Sequence, residues 1–207
     1  MSKGLLVVFS GPSGAGKGTV LGQLLAERKD IRLSISATTR SPRPGEQDGR
    51  EYFFLTREEF LSRIEQGKML EYAEYCGNFY GTPADPIERW TSEGNDVILE
   101  IEVQGGAQVK KKRPDCVSIF IVPPSLAEQE RRLRGRGTED EETIQKRVAA
   151  ARGEIAHAPS YDYIVVNDTV EHAVNQINQI LAAEKLRFSR CSEIIEGVLN
   201  HHAETVC

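Results

Sequence analysis

Nine residues, Gly11-Pro12-Ser13-Gly14-Ala15-Gly16-Lys17-Gly18-Thr19, constrain this chain more than any other stretch. The apolar burst Leu5-Leu6-Val7-Val8-Phe9 before them has strand length, and the apolar residues of Val20 to Ala26 after them recur at helical spacing. A strand, a glycine-rich turn and a helix make an anion cradle. Glycines let the backbone come close, successive N–H groups point inward, and the helix adds the positive end of its dipole. Lys17 supplies a mobile charge for the outermost groups of a bound polyphosphate.

The G-x-x-x-x-G-K pattern in this setting is that of a P-loop, so the stretch is expected to bind a nucleoside triphosphate. One position departs from the pattern. Ser or Thr normally follows the lysine and ligates Mg²⁺; here Gly18 stands there, and the hydroxyl comes one residue later at Thr19.

A chain of 207 residues is expected to form one α/β core with small inserted parts. Its net charge of −5 argues against a general nucleic-acid or membrane-surface binder. An acidic protein that grips anions must gather its arginines locally. The four cysteines, Cys76, Cys116, Cys191 and Cys207, show neither a C-x-x-C pair nor zinc spacing and read as reduced thiols. With no secretory leader and no membrane-length apolar run, the expected location is the cytoplasm. The sequence leaves the oligomeric state open.

Along the chain, Ile31 to Ile35 reads as a short strand that opens into the polar loop Ser36 to Glu46. Glu51 to Leu55 reads as a strand, and Thr56 with Glu59 forms a capping box for a helix to about Gln66. Met69 to Tyr75 and Asn78 to Tyr80 read as two strands around Cys76-Gly77. A helix over Asp85 to Glu93 and a buried strand over Asp96 to Glu102 follow, then a helix to about Arg113. Cys116 to Val122 is an apolar strand. Ser125 caps a charged helix over Leu126 to Arg136, and a second runs from Glu141 to about His157. Tyr163 to Val166 is a last strand and Thr169 to Arg190 one long helix, with a loosely docked helical tail beyond. Strands alternating with helices predict a parallel sheet covered on both faces.

Two arginine clusters stand out, Arg40 with Arg43, and Arg131-Arg132-Leu133-Arg134-Gly135-Arg136-Gly137 followed by Arg147. Arginine presents a rigid fork of donors matched to phosphate oxygens. One cluster suits the phosphate of an acceptor and the other those of a donor. The alternative for Arg131 and Arg134 is ordinary solvated helix surface.

Together the loop GPSGAGKGT, the segment from Ser36 to Glu46, Gly77-Asn78-Phe79-Tyr80-Gly81, Glu100-Ile101-Glu102-Val103-Gln104-Gly105, Pro123-Pro124-Ser125 and Arg134-Gly135-Arg136-Gly137-Thr138 resemble the guanylate kinase family over about residues 4–190. The resemblance implies a P-loop NTPase-type α/β core over about 1–35, 83–125 and 158–190. It also implies a nucleoside-monophosphate-binding insert over about 36–82 and a helical lid over about 126–157, leaving a tail over 191–207. The implied reaction is ATP + GMP to ADP + GDP, with Mg²⁺. ATP would take Gly11 to Thr19 and Asn167; the GMP phosphate would take Arg40, Arg43, Tyr52 and Tyr80; guanine would take Ser36, Glu71 and Thr82. Glu46, Glu100 and Glu102 join the substrate side, and Arg132, Arg136 and Arg147 bring lid charge to the transferring group. Mg²⁺ would meet Thr19 and Glu100. The family often has aspartates where Glu100 and Glu102 stand, so the reach here is longer by a methylene.

Two other readings remain at this point. The G-K-G-T spelling is shared with adenylate kinases, so AMP is a rival acceptor. A non-catalytic guanylate kinase-like module that binds phosphorylated peptides is the rival from another class, though such modules have typically lost P-loop residues and Lys17 is present here.

Overall fold

The structure, a computed structural model, describes residues 3–135 and 140–201. Its main sheet is built from β1 (Leu6–Ser10), β2 (Ile31–Leu33), β7 (Asp96–Glu100), β8 (Val117–Val122) and β9 (Tyr163–Val166). All neighbours are parallel, in the order β2-β7-β1-β8-β9. β1 is central and buried at every position because the sheet is covered on both faces. Leu5, Val7 and Phe9 pack with Leu21 and Leu24 of α1 (Lys17–Glu27) and with Val174 and Ile177 of α7 (Val170–Lys185). Leu6 and Val8 face the other way, toward Ile87 of α3 (Ala84–Ser92) and Val109 of α4 (Val103–Lys112). Each such side chain contributes about 1.5–3 kcal/mol on burial.

A second sheet holds β3 (Ala37–Thr38), β4 (Phe53–Phe54), β5 (Met69–Tyr75) and β6 (Asn78–Pro83), in the order β4-β3-β6-β5. Its small core of Ala37, Phe60, Met69 and Phe79 lies under α2 (Arg57–Glu65), with the Phe60 and Phe79 rings stacked at 5.3 Å. Both halves of the Thr56–Glu59 capping box are formed. The charged helices α5 (Leu126–Gly135) and α6 (Glu141–Ile155) start at Ser125, whose Oγ accepts from the Glu128 N–H, and at Asp140, whose side chain accepts from the Thr143 N–H. Among the described residues, no helix is long and apolar enough to cross a membrane.

Several expectations need correction: β3 stands inside the stretch expected as a polar loop over Ser36 to Glu46, β6 runs past Tyr80 to Pro83, and β7 ends at Glu100 instead of Glu102. The strand expected over Glu51 to Leu55 shrinks to Phe53–Phe54, because β3, its partner, is only two residues long. The single helix expected to reach Arg190 stops at Lys185, and α8 (Phe188–His201) starts afresh after Leu186 and Arg187. Buried Glu184 holds this break: its carboxylate accepts from the Tyr163 hydroxyl at 2.6 Å, and Arg190 returns to within 3.8 Å of it and donates to the Asp115 carbonyl at 2.7 Å. The end of the tail expectation, residues 202–207, lies outside the described residues.

Asp96 ties three elements together at the foot of the sheet. It is fully buried, accepts the Leu5 N–H at 2.9 Å, and pairs with Lys185 at 2.7 Å and Arg28 at 3.8 Å. Asp96→Ala leaves the Leu5 N–H without that acceptor and should lower the unfolding free energy in urea titrations by about 1–3 kcal/mol. Asp96→Asn keeps an acceptor and should lose less. Equal losses would move the effect from the N–H to the charge pair.

Candidate active site

β1 delivers the chain to the loop, and α1 begins at Lys17. Gly14 and Gly16 hold φ of 82° and 88°, in the left-handed region that favours glycine. A Cβ on Gly16 would come within 2.4 Å of the Asn167 amide, which donates to the Ala15 carbonyl at 2.7 Å. Asn167 therefore buttresses the loop from the end of β9. The Lys17 ammonium is held by the carbonyls of Gly11 and Pro12. A Cβ at Gly18 would meet open space, so no crowding demands the glycine there. Thr19 is exposed on the first turn of α1.

The charged helices converge on one loop residue, Ser13. Gln129 of α5 donates to its carbonyl, Arg147 of α6 donates to its hydroxyl at 3.0 Å, and its N–H donates to Glu154 at 3.3 Å. Arg132 is aimed at the same end of the sheet, bonded to Glu128 at 2.7 Å and to the Asn167 carbonyl at 2.9 Å. Arg131 and Arg134 form surface ion pairs with Glu128, Glu130 and Glu141, the plain alternative named for them above. Arg136 lies outside the described residues.

Beside the loop, between the two sheets, is a cavity of about 450 Å³ lined by Ser36, Tyr52, Glu71, Tyr80, Glu100 and Glu102. Glu71 and Thr82 face each other across β5 and β6, and the Thr82 hydroxyl donates to the Glu71 carboxylate at 2.7 Å. The register shifts between Met69 and Glu71, so Met69, Leu70 and Glu71 are all buried instead of alternating. On its other side a Cβ at Gly105 would lie 3.0 Å from the carboxylate. Burial raises the Glu71 pKa above its ordinary value, against the opposing pull of the Thr82 hydrogen bond and the Lys112 charge.

Arg40 and Arg43 meet at Glu46. Arg40 gives both carboxylate oxygens one nitrogen, at 2.9 and 3.0 Å, and the Arg43 N–H adds a bond of 2.7 Å. These contacts, Arg40 first, lower the Glu46 pKa. The Arg40 guanidinium also lies 5.5 Å from the Tyr52 ring centre, and its pKa is raised chiefly by Glu46, with Tyr80 adding to the shift. Glu100 links this cavity to the loop. Glu100 stands exposed at the end of β7, yet partial desolvation by its neighbours raises its pKa, with the Lys17 charge opposing and Glu102 adding to the shift. The hard oxygen donors of Thr19 and Glu100 fit the chemistry of Mg²⁺.

Sequence reasoning missed four contributors. Gly105 flanks the Glu71 carboxylate, and Gln108 bonds both backbone groups of Tyr72 at 3.2 and 3.0 Å. Gln129 and Glu154 engage Ser13. Only Gly105 carried a signal, as the last residue of the Glu100-to-Gly105 block.

The glycine-turned loop with its Lys17 ammonium and the adjoining cavity, with the Arg40–Glu46 pair beside Tyr52, are joined through Glu100. The guanylate kinase family model matches residues 3–184. The chain belongs to the guanylate kinase family. Among its relatives are a guanylate kinase of Desulfitobacterium hafniense (strain Y51), 53% identical over 94% of this chain and 98% of that one, and a guanylate kinase of Streptococcus thermophilus (strain CNRZ 1066), 50% identical over 99% and 95%. The crystal structure of guanylate kinase from Anaplasma phagocytophilum superposes with a TM-score of 0.69 at 38% identity, covering 91% of this chain and 90% of that chain. The α/β core with its five-stranded parallel sheet is thus a guanylate kinase fold.

The folded protein binds the Glu71 proton more tightly than the unfolded chain does. Stability contributed by the protonated carboxyl is therefore full below the ordinary glutamate value of about 4.3 and lost as pH rises through the raised folded value. Carboxyl NMR should find Glu71 titrating above that ordinary value. Thr82→Val, which removes a bond to the carboxylate, should push it higher; an unshifted Glu71 would mean that its surroundings are wetter than this geometry.

Proposed function

We propose that this chain, a guanylate kinase by family, transfers the γ-phosphoryl group of ATP to GMP with the ATP phosphates in the Gly11–Thr19 loop and GMP in the adjoining cavity. Glu71 is the observation that carries the reading. Guanine's Watson–Crick edge offers two adjacent donors, the ring N1–H and the exocyclic amine, and one carboxylate accepts both. Adenine offers a lone pair at N1 and no amine at C2, so the same buried carboxylate would go unpaired against AMP. Ser36 supplies a hydroxyl for the remaining base edge, and Thr82 a second by turning its proton from Glu71.

In the transfer, an oxygen of the GMP phosphate forms a bond to the γ-phosphorus of ATP. The bond from that phosphorus to the β,γ-bridging oxygen breaks, leaving ADP and GDP. The attacking phosphate is already anionic, so the chain needs no general base. What it must supply is alignment and positive charge. Arg40, Arg43, Tyr52 and Tyr80 orient the GMP phosphate, with Glu46 holding the Arg40 guanidinium and the Arg43 backbone in place. Lys17 exchanges its loop carbonyls for the outer ATP phosphates, and Arg132, Arg136 and Arg147 bring charge from the lid. Asn167 keeps the loop in shape at the nucleoside end. Thr19 and Glu100, with Glu102 beside them, would hold Mg²⁺, which when bound neutralises charge on the phosphate oxygens.

On this reading residues 36–82 are the GMP-binding region and 126–157 the lid, whose closure would exclude water that competes for the phosphoryl group. The core is then about 1–35, 83–125 and 158–190. The free thiols of Cys76, Cys116 and Cys191 support a reducing compartment, and we place the enzyme in the cytoplasm.

Lys17→Ala should keep the circular dichroism of the native fold yet lower kcat by at least ~10³, the scale of one charge-stabilising group in phosphoryl transfer. Near-normal turnover would remove the loop from the mechanism. Glu71→Gln keeps size but loses charge and one acceptor. It should cost roughly 2–4 kcal/mol in kcat/KM for GMP and narrow the GMP-over-AMP ratio in a coupled assay. Full selectivity in this variant would mean that guanine is read elsewhere.

A further inference from the structure

Strand β5 is an edge of its sheet, in the order β4-β3-β6-β5, so the backbone groups on its outer side have no neighbouring strand. Helix α4 lies along that side and supplies partners. The Gln108 amide accepts from the Tyr72 N–H at 3.2 Å and donates to the Tyr72 carbonyl at 3.0 Å, as a paired strand residue would. The first of these bonds is to the peptide that joins Glu71 to Tyr72. One turn on, the Lys112 ammonium donates to the Met69 carbonyl at 2.8 Å. One turn back, Gly105 brings bare helix backbone against Glu71, where a Cβ would lie 3.0 Å from the carboxylate. Residues 105, 108 and 112 are three and four apart and share one helix face. Their contacts bracket a single side chain, that of Glu71.

We propose that Gln108 is a positioning residue for base selection, clamping the Glu71–Tyr72 peptide so that the Glu71 carboxylate meets both guanine donors at once. The role follows from Glu71 reading guanine, as proposed above. The ladder to β6 does not by itself fix Glu71, because the register shifts between Met69 and Glu71 and a strand can bend at such a point. The Thr82 hydroxyl restrains one carboxylate oxygen, but a hydroxyl rotates and is a soft restraint. The clamp acts on the backbone beside Glu71, and its two bonds keep that stretch of β5 from rolling. Gln108 itself lines the cavity, yet both polar atoms of its amide are engaged by Tyr72. It therefore acts on the base through Glu71 and not by contact.

Steady-state kinetics on the full chain, with GMP and with AMP as acceptor, tests the role. Gln108→Met keeps the volume and loses both bonds. It should raise the KM for GMP more than it lowers kcat and leave the KM for ATP unchanged. The GMP-over-AMP ratio of kcat/KM should narrow by ~10- to 100-fold, the scale of a misplacement of about 1 Å. Made on top of Glu71→Gln, the same change should shift that ratio by no more than about twofold, because the carboxylate it positions is already gone. Gln108→Asn keeps the amide but falls short by one methylene; it should move the ratio in the same direction and serves where the Met variant does not fold. With selectivity lost in Glu71→Gln, an unchanged ratio in the folded Gln108 variant overturns the role of Gln108 alone. So does an equal change with and without Glu71→Gln, which would mean that Gln108 acts by another route. A Glu71→Gln chain with full selectivity removes the guanine reading itself, and this role with it.

Discussion

The left-handed backbone at Gly14 and Gly16 is the constraint on which the site rests. It reverses the chain between β1 and α1 so tightly that the Asn167 amide sits where a side chain on Gly16 would have to go. An L-residue in that conformation costs roughly 1–2 kcal/mol before any clash is counted. The tight reversal brings three separate parts of the chain to one small surface. β9 reaches it through Asn167, α5 through Gln129 and Arg132, and α6 through Arg147 and Glu154.

Glu71, in the cavity wall, and Glu46, in the loop beyond it, are tuned in opposite directions by their surroundings. Glu46 accepts from the Arg40 guanidinium and from the Arg43 backbone N–H, which lower its pKa. Glu71 is walled in by its own sheet and by the bare backbone at Gly105, which raises its affinity for a proton. A charge that is uncomfortable alone is one that gains most from two N–H donors arriving together. Glu46 can gain little from such a ligand because its oxygens are already engaged. On the proposed function, the difference suits Glu71 to base recognition and Glu46 to positioning Arg40.

Much of this was legible before any coordinates. The strand, loop and first helix announced themselves through apolar runs and glycine spacing, and the Thr56–Glu59 cap through its four-residue signature. Glu71 was visible only by family resemblance, because its burial comes from a register shift that no periodicity reveals. Gln108, Gln129 and Glu154 look in sequence like any polar residue on a helix. Their importance comes from backbone groups distant along the chain, Tyr72 for one and Ser13 for the other two. The break after Lys185 was hidden for a similar reason. Helix-forming residues continue through it, and the contacts that stop the helix come from Tyr163 and Asp115.

Helix α4 acts as a cross-brace. One end follows β7 of the main sheet after only Ile101 and Glu102, and its flank grips the β5 backbone of the second sheet through Gln108. The two sheets therefore cannot slide freely past each other. Any swing of the second sheet either bends a ten-residue helix or turns it bodily, with the pivot at the two linking residues. Ile101 and Glu102 both line the cavity, so the pivot lies in its wall and such a swing changes the shape of the space between Glu71 and Glu100.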